Sequence, residues 1–316
     1  MNAVVEQALD LWGLHGATYS LVAARENAVF KITSGTESYA LRLHRSGYRT
    51  DAELRSELQW MRAVSECGIK VPTPIPSTSH ALLRVVDGIQ VDVLTWLSGT
   101  TMDQTFNGQV NRADLFERLG KDMARLHTVS DAWPQPDGFT RCSWDRDGLL
   151  GQAPLWDCFW NNPRLTRNDQ SLLIAMREKA DADLASLETT LDYGLIHADL
   201  VAANVMVNGE DIQLIDFDDG GFGFRLFDIA TALLKHLDAP DYLQLRSSLV
   251  KGYTSVRPID LSALDLFMML RAATYVGWNI TRMHEDGGED RNTRFISTTK
   301  RLGLTYLQRS MDPCIN

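Results

Sequence analysis

In HADLVAANVMV, residues 197–207, a histidine, an aspartate and an asparagine stand among residues that are otherwise almost all apolar. A second apolar run, IQLIDFDD from residue 212, ends on Asp216, Asp218 and Asp219. Polar side chains are costly to bury without partners, so they are either satisfied in a turn here or held there for use. As chemistry the set is coherent. The amide oxygen of Asn204 and the carboxylate of Asp216 are hard ligands of the kind Mg2+ takes alongside waters and nucleotide phosphates. A carboxylate that stays off the metal, Asp199, can accept the proton of an attacking hydroxyl and aim it in line with a γ-phosphate. His197 is better suited to support the loop than to act as a base.

These residues need elements to position them. VMV reads as a strand, NGED as a four-residue turn and IQLIDF as the return strand. The hairpin is expected to bring Asn204 and Asp216 together although they are 12 residues apart, with Asp199 five residues before Asn204 on the same loop. Between about residues 17 and 97 the texture is mostly strands: TYSLVAA, AVFKIT, SYALRLH, ALLRVV and QVDVLTW, with SGTE as a hairpin loop. One helix interrupts them, TDAELRSELQWMRAVSECG, which is capped at Thr50 or Asp51, carries Leu54, Leu58, Met61 and Val64 at helical spacing and stops at Gly68. The prolines of VPTPIP cannot continue it and return the chain to the sheet. Beyond residue 98 helices dominate, in NRADLFERLGKDMARLHTVS, NDQSLLIAMREKADADLASLE, DYLQLRSSLVKGY and LSALDLFMMLRAATYVGWNITRMH. The stretch from Trp133 to Pro163 is irregular and reads as an insertion loop.

A length of 316 residues exceeds the usual size of one core, which gives two domains, 1–97 and 98–316. The net charge of −10, with basic residues scattered, excludes a general nucleic-acid binder and favours cationic small molecules. No apolar run reaches the ~18 residues of a membrane span, and Glu6 and Asp10 stand where a signal peptide would be basic, so a cytoplasmic protein is expected. Cys67, Cys142, Cys158 and Cys314 are too dispersed for a disulfide framework or a zinc site, and read as buried thiols.

The pattern HxDxxxxN, then IDFxD, then GxxxFDIA, resembles the aminoglycoside phosphotransferase and choline kinase superfamily over nearly the whole chain. The resemblance implies an α+β, bilobal protein-kinase-like fold that uses ATP and Mg2+, with Asp199 as catalytic base, Asn204 and Asp216 on the metal and Asp228 bracing the catalytic loop. It further places Arg42, in SYALRLH, on the α- and β-phosphates, with Glu57 as its partner in the following helix; the alternative is that the two are a solvated pair. ARENAVFKI, with Asn27, stands for a phosphate-covering loop, and Leu94, Thr95, Trp96 and Leu97 for the linker that meets adenine. The branch it resembles holds type II homoserine kinases, relatives acting on other hydroxylated amines, and a bacterial stress-response Ser/Thr kinase. Acceptor candidates are Asp218, Asp219, Trp278, Arg282, Glu285 and Asp286, an acidic and aromatic wall suited to ammonium; alternatively Trp278 is core and the acidic run a solvated loop. The implied function is ATP-dependent phosphorylation of a small amino alcohol or hydroxy amino acid by a monomer or homodimer that binds neither nucleic acid nor membrane. The alternatives are a protein Ser/Thr kinase, although no APE segment is present, and a non-catalytic nucleotide-binding regulator.

Overall fold

A computed structural model describes residues 2–24, 27–106 and 110–309, and these fall into two compact units. The first comprises Met1–Val110, Thr128–Arg141 and Ala202–Asp218; the second comprises Asn111–His127, Cys142–Val201 and Asp219–Asn316. Stretches beyond residue 97, including the hairpin that carries Asn204 and Asp216, therefore pack with the amino-terminal sheet.

In the first unit an amphipathic helix α1 (Asn2–Leu11) leads into strands β1 (Thr18–Ala24), β2 (Ala28–Ser34) and β3 (Glu37–Leu43). The turn joining β2 and β3 puts Gly35 at a φ of +60°, the positive value a tight hairpin needs at its first central residue. Helix α2 (Asp51–Glu66) begins with a capping box in which Thr50 and Glu53 satisfy each other's backbone N–H. Leu54, Leu58, Met61 and Val64 are buried as their spacing predicts, and Glu57 is buried among them. Strands β4 (Pro74–Ile75), β5 (Leu83–Val86) and β6 (Ile89–Thr95) complete an antiparallel sheet of order β1-β2-β3-β6-β4, with β5 also on β6. One face of it buries Phe30, Ile32, Leu41, Val91 and Val93 against Val4, Val5, Ala8 and Leu9 of α1. Strand β7 (Thr100–Thr101) is followed by the single turn α3 (Met102–Thr105) and pairs with the later hairpin, where a Cβ at Gly99 would lie 2.4 Å from the Val207 carbonyl.

The second unit is mainly helical, with α4 (Arg112–Ala132, the part to His127), α5 (Arg146–Leu150), α6 (Arg167–Leu187), α7 (Arg225–Leu234), α8 (Tyr242–Thr254), α9 (Leu264–Trp278) and α10 (Gly288–Arg309). Every residue of α7 is buried and α9 is buried almost all round, and both helices bury charged side chains, Arg225 and Asp228 on α7 and Arg271 on α9, among their apolar ones. Helices α4 and α8 approach closely at two glycines: a Cβ on Gly120 would lie 2.0 Å from the Leu249 carbonyl, and one on Gly252 1.8 Å from that of Glu117. A small sheet sets β12 (Gly221–Phe224) between β8 (Ser143–Trp144) and β9 (Tyr193–Ile196). The stretch read as an insertion loop thus contains α5, β8 and a short 3-10 turn at Phe159–Asn161, elements too brief to show a period. The first unit holds the remaining hairpin, β10 (Val205–Asn208) and β11 (Asp211–Leu214).

Candidate active site

The second unit positions Asp199. Strand β9 delivers the chain to His197, and Ala198 then adopts a φ of +64°. That left-handed residue turns two successive N–H groups, of His197 and Ala198, onto the Asp228 carboxylate at 2.9 and 2.7 Å. Asp228 sits in the first turn of α7, where a helix also favours negative charge. Its Oδ2 lies 3.0 Å from Nε2 of His127, whose Nδ1 is 2.9 Å from the Tyr253 hydroxyl. Burial alone would raise the Asp228 pKa, but the His127 hydrogen bond and the His197 N–H hold it below the ordinary value. Burial pushes His127 down to about 4, so the ring is neutral; facing an ionised carboxylate that can only accept, Nε2 carries the proton and Nδ1 accepts from Tyr253. His197 is fully buried and its Nδ1 accepts the Asp199 N–H at 3.3 Å, a supporting role.

The carboxylate of Asp199 meets a residue that the sequence reading did not single out. Arg271 of α9 donates from Nη2 to Asp199 Oδ1 at 2.6 Å. Its only sequence signal is a lone charge in the apolar run LFMMLRAATYVGW.

The first unit carries the candidate metal ligands. Asn204 closes a 3-10 turn, Ala202–Asn204, immediately before β10, and Asp216 stands two residues beyond β11 at a φ of +67°. Beyond the Val205–Leu214 pair, the Ile215 N–H donates to the Asn204 carbonyl at 3.0 Å, so Asn204 and Asp216 flank the open end of one hairpin. Among the described residues no three His, Cys, Asp or Glu side chains are arranged to hold a metal. One amide and one carboxylate fit Mg2+, which keeps waters and phosphates as its other ligands.

Arg42 and Glu57 are buried, so they are not a solvated pair. Arg42 Nη1 donates to Glu57 at 2.8 Å, while Nε and Nη2 fork onto Asp92 at 2.9 and 2.8 Å. Asp92 faces Arg42 directly across β3 and β6, and it also contacts His44 Nε2 at 2.7 Å. Arg141 donates to the other Glu57 oxygen at 3.2 Å and to the carbonyls of Phe217 and Asp218 at 3.0 and 2.7 Å. Burial pushes both acids up, yet the facing cations prevail: Asp92 lies at about 2, and Arg42 and Arg141 hold Glu57 below its ordinary value. Asp218 goes the other way. Its carboxyl is buried, Oδ1 has no hydrogen-bond partner among the described residues, and burial followed by the charge of Glu57 raises its pKa.

The remaining candidates are variously engaged. Asn27 Oδ1 accepts the Arg45 N–H at 3.4 Å; Arg25 and Glu26 of the same run lie outside the described residues, as does Cys314. Leu94 is buried in β6, and the N–H groups of Thr95 and Trp96 donate to the carbonyls of Thr73 and Ser38, ahead of Leu97. The Asp219 carbonyl accepts Trp144 Nε1 at 2.8 Å. The guanidinium carbons of Arg282 and Arg291 lie 4.4 and 5.5 Å from the ring centre of Trp278, and Arg291 also pairs with Glu285 at 3.1 Å. Asp286 is exposed.

Comparison with known proteins gives the family and the fold. A model described as "Phosphotransferase enzyme family" matches residues 18–267. A solved microcompartment-associated aminopropanol kinase is 28% identical with a TM-score of 0.86, each chain covered to 98%. Homoserine kinase of Brucella abortus (strain S19) is 25% identical over 82% of this chain and 76% of its own. An amicoumacin kinase solved with AMP-PNP and Ca2+ is 21% identical with a TM-score of 0.78, covering 95% of this chain and 93% of its own, and shows the shared fold. The α+β protein-kinase-like fold implied by the motifs is the one these neighbours have.

Proposed function

The chain belongs to the phosphotransferase enzyme family, and from that premise we propose that it moves the γ-phosphate of ATP onto the hydroxyl of a small amino alcohol. The observation that carries this reading is the likeness, over 98% of both chains, to an aminopropanol kinase; the homoserine kinase likeness supports a short acceptor bearing both an amine and a hydroxyl. In this reading Asp199 accepts the hydroxyl proton as the acceptor oxygen bonds to the γ-phosphorus and the bond to the ADP oxygen breaks. Asn204 and Asp216 hold Mg2+, which when bound neutralises charge on the phosphates. Three donors of Arg42 are spent on carboxylates, and its two remaining Nη hydrogens are assigned to the α- and β-phosphates, with Asn27 on the covering loop. Because the N–H groups of Thr95 and Trp96 are already bonded, adenine is assigned to the backbone from Leu97 onward.

For the acceptor's ammonium, a carboxylate is the better partner than an open ring. The faces of Trp278 and of Trp156 and Tyr275 already carry the protein's own guanidinium groups. Asp219 is the carboxylate assigned to it. Transfer of labelled phosphate from ATP to 1-amino-2-propanol, ethanolamine, homoserine and choline tests the proposal. It expects phosphorylation of the primary-amine alcohols ahead of choline, and turnover of none of the four would contradict it.

A further inference from the structure

We infer that Arg271 positions the Asp199 carboxylate for proton transfer, and that a sleeve formed by Trp156, Phe227 and Tyr275 commits its guanidinium to that task. The inference rests on Asp199 being the base. Arg271 is fully buried, and a buried guanidinium ordinarily recruits several acceptors for its five N–H donors. Here only Nη2 has hydrogen-bond partners among the described residues, Asp199 Oδ1 at 2.6 Å and the Tyr275 hydroxyl at 3.1 Å; Nε and Nη1 have none. Rings take the place of acceptors. The guanidinium carbon lies 4.3, 4.6 and 5.3 Å from the ring centres of Tyr275, Trp156 and Phe227, within the range of cation–π attraction.

Each wall of the sleeve is fixed from behind. Tyr275 sits one turn beyond Arg271 on α9 and stacks on Phe295, with ring centres 4.9 Å apart. Trp156 meets Trp144 edge to face at 5.1 Å, and Trp144 stacks on Phe227 at 5.2 Å. The segment bearing Trp156 lies against α9 because residue 277 is glycine: a Cβ there would be 2.2 Å from the Trp156 carbonyl and 2.6 Å from that of Asp157. Phe227 adjoins Asp228, the residue that holds the N–H groups of His197 and Ala198. One turn of α7 therefore grips the backbone leading to Asp199 and also walls the cation that grips its side chain. A short carboxylate has two free torsions, and Arg271 fixes them through Oδ1. A catalytic group displaced by about 1 Å loses on the order of 100-fold in rate.

The experiment compares Arg271→Met, Arg271→Lys, Arg271→Ala and Asp199→Asn in phosphorylation of the four acceptors named above and in acceptor-independent hydrolysis of MgATP. We expect Arg271→Met to lower kcat about 30- to 100-fold with KM for ATP changed less than threefold. Arg271→Lys should recover part of that loss, and millimolar methylguanidinium should restore turnover to Arg271→Ala. If Arg271→Met and Arg271→Lys both keep kcat within twofold while Asp199→Asn is inactive, the inference is overturned and the base assignment stands. A fall in kcat matched by an equal rise in KM for ATP also overturns it, since a merely structural residue behaves so. Full activity in Asp199→Asn would instead remove the base assignment. Should Arg271→Met not fold, Trp156→Leu decides, because it opens the sleeve without touching a charge: kcat should fall about tenfold at constant KM for ATP, and an unchanged kcat overturns the inference.

Discussion

Arg42 shows how little freedom a buried charge has. Its fork onto Asp92 and its bond to Glu57 make two acids share one cation, with Arg141 as a second partner of Glu57 and the His44 ring as a second partner of Asp92. Arg42→Ala should therefore cost about 3–5 kcal/mol of stability, seen as a lower urea midpoint, before any effect on nucleotide is read. Arg42→Lys keeps the charge but cannot fork; it should fold and raise KM for ATP about tenfold, and an unchanged KM would take Arg42 off the phosphates. Asp219→Asn should raise KM for amino-alcohol acceptors about tenfold with KM for ATP unchanged, as expected for loss of one ionic contact. The pairing of Arg42 with Glu57 was implied by the family resemblance; the residues alone left it open whether the two are a solvated pair. Asp92 was not legible, because its place opposite Arg42 depends on strand register, which lies outside any local pattern. Arg271 escaped for a related reason: a helical period marks a charge on an apolar face without saying which residue it meets.

Elements long enough to repeat were readable, and short ones were not. Helices α2, α4, α6, α8 and α9 followed their apolar spacing, and the β10–β11 hairpin followed its turn, so the two metal-ligand candidates were located from sequence. Strands β8 and β12, of 2 and 4 residues, carry no usable period, although they form the sheet that delivers the chain to His197. The long α10 begins in an acidic run, GEDR, that reads as a solvated loop. The contact between α4 and α8 was equally hidden, since a glycine inside a helix gives no sign that another helix touches it. That contact sets His127 of α4 against Tyr253 of α8, and through His127 it supports Asp228. Gly252→Ala would gain about 1 kcal/mol of helix propensity but forces a methyl into the Glu117 carbonyl. Overpacking should prevail, with a net loss of about 1–2 kcal/mol measurable by urea denaturation.

For the whole molecule, pH reports on the same support. The folded-state pKa of His127 is about 4 against an ordinary 6.5, so between those values the unfolded chain binds a proton that the folded chain refuses. Stability should thus be complete above pH 6.5 and fall as pH drops towards 4, by on the order of 3 kcal/mol for this residue. His236, lowered to about 4 by burial and then by Arg112, shares that window, whereas Asp92, at about 2, contributes only at lower pH. His127→Gln should flatten the slope between pH 6.5 and 4 measured by chemical denaturation, and an unaltered slope would mean that His127 is charged in the fold. Composition bounded the partners only loosely, and among the described residues no helix is long and apolar enough to cross a membrane. The acceptor was the least legible feature, because the available ring faces are set by which of the protein's own arginines already cover them. The most direct measurement is phosphate transfer from labelled ATP to 1-amino-2-propanol by wild type and Asp199→Asn, with MgATP affinity determined alongside. The account predicts a phosphorylated product from the wild type and a loss of about 1,000-fold in the variant at unchanged MgATP affinity; equal turnover by the two proteins would contradict it.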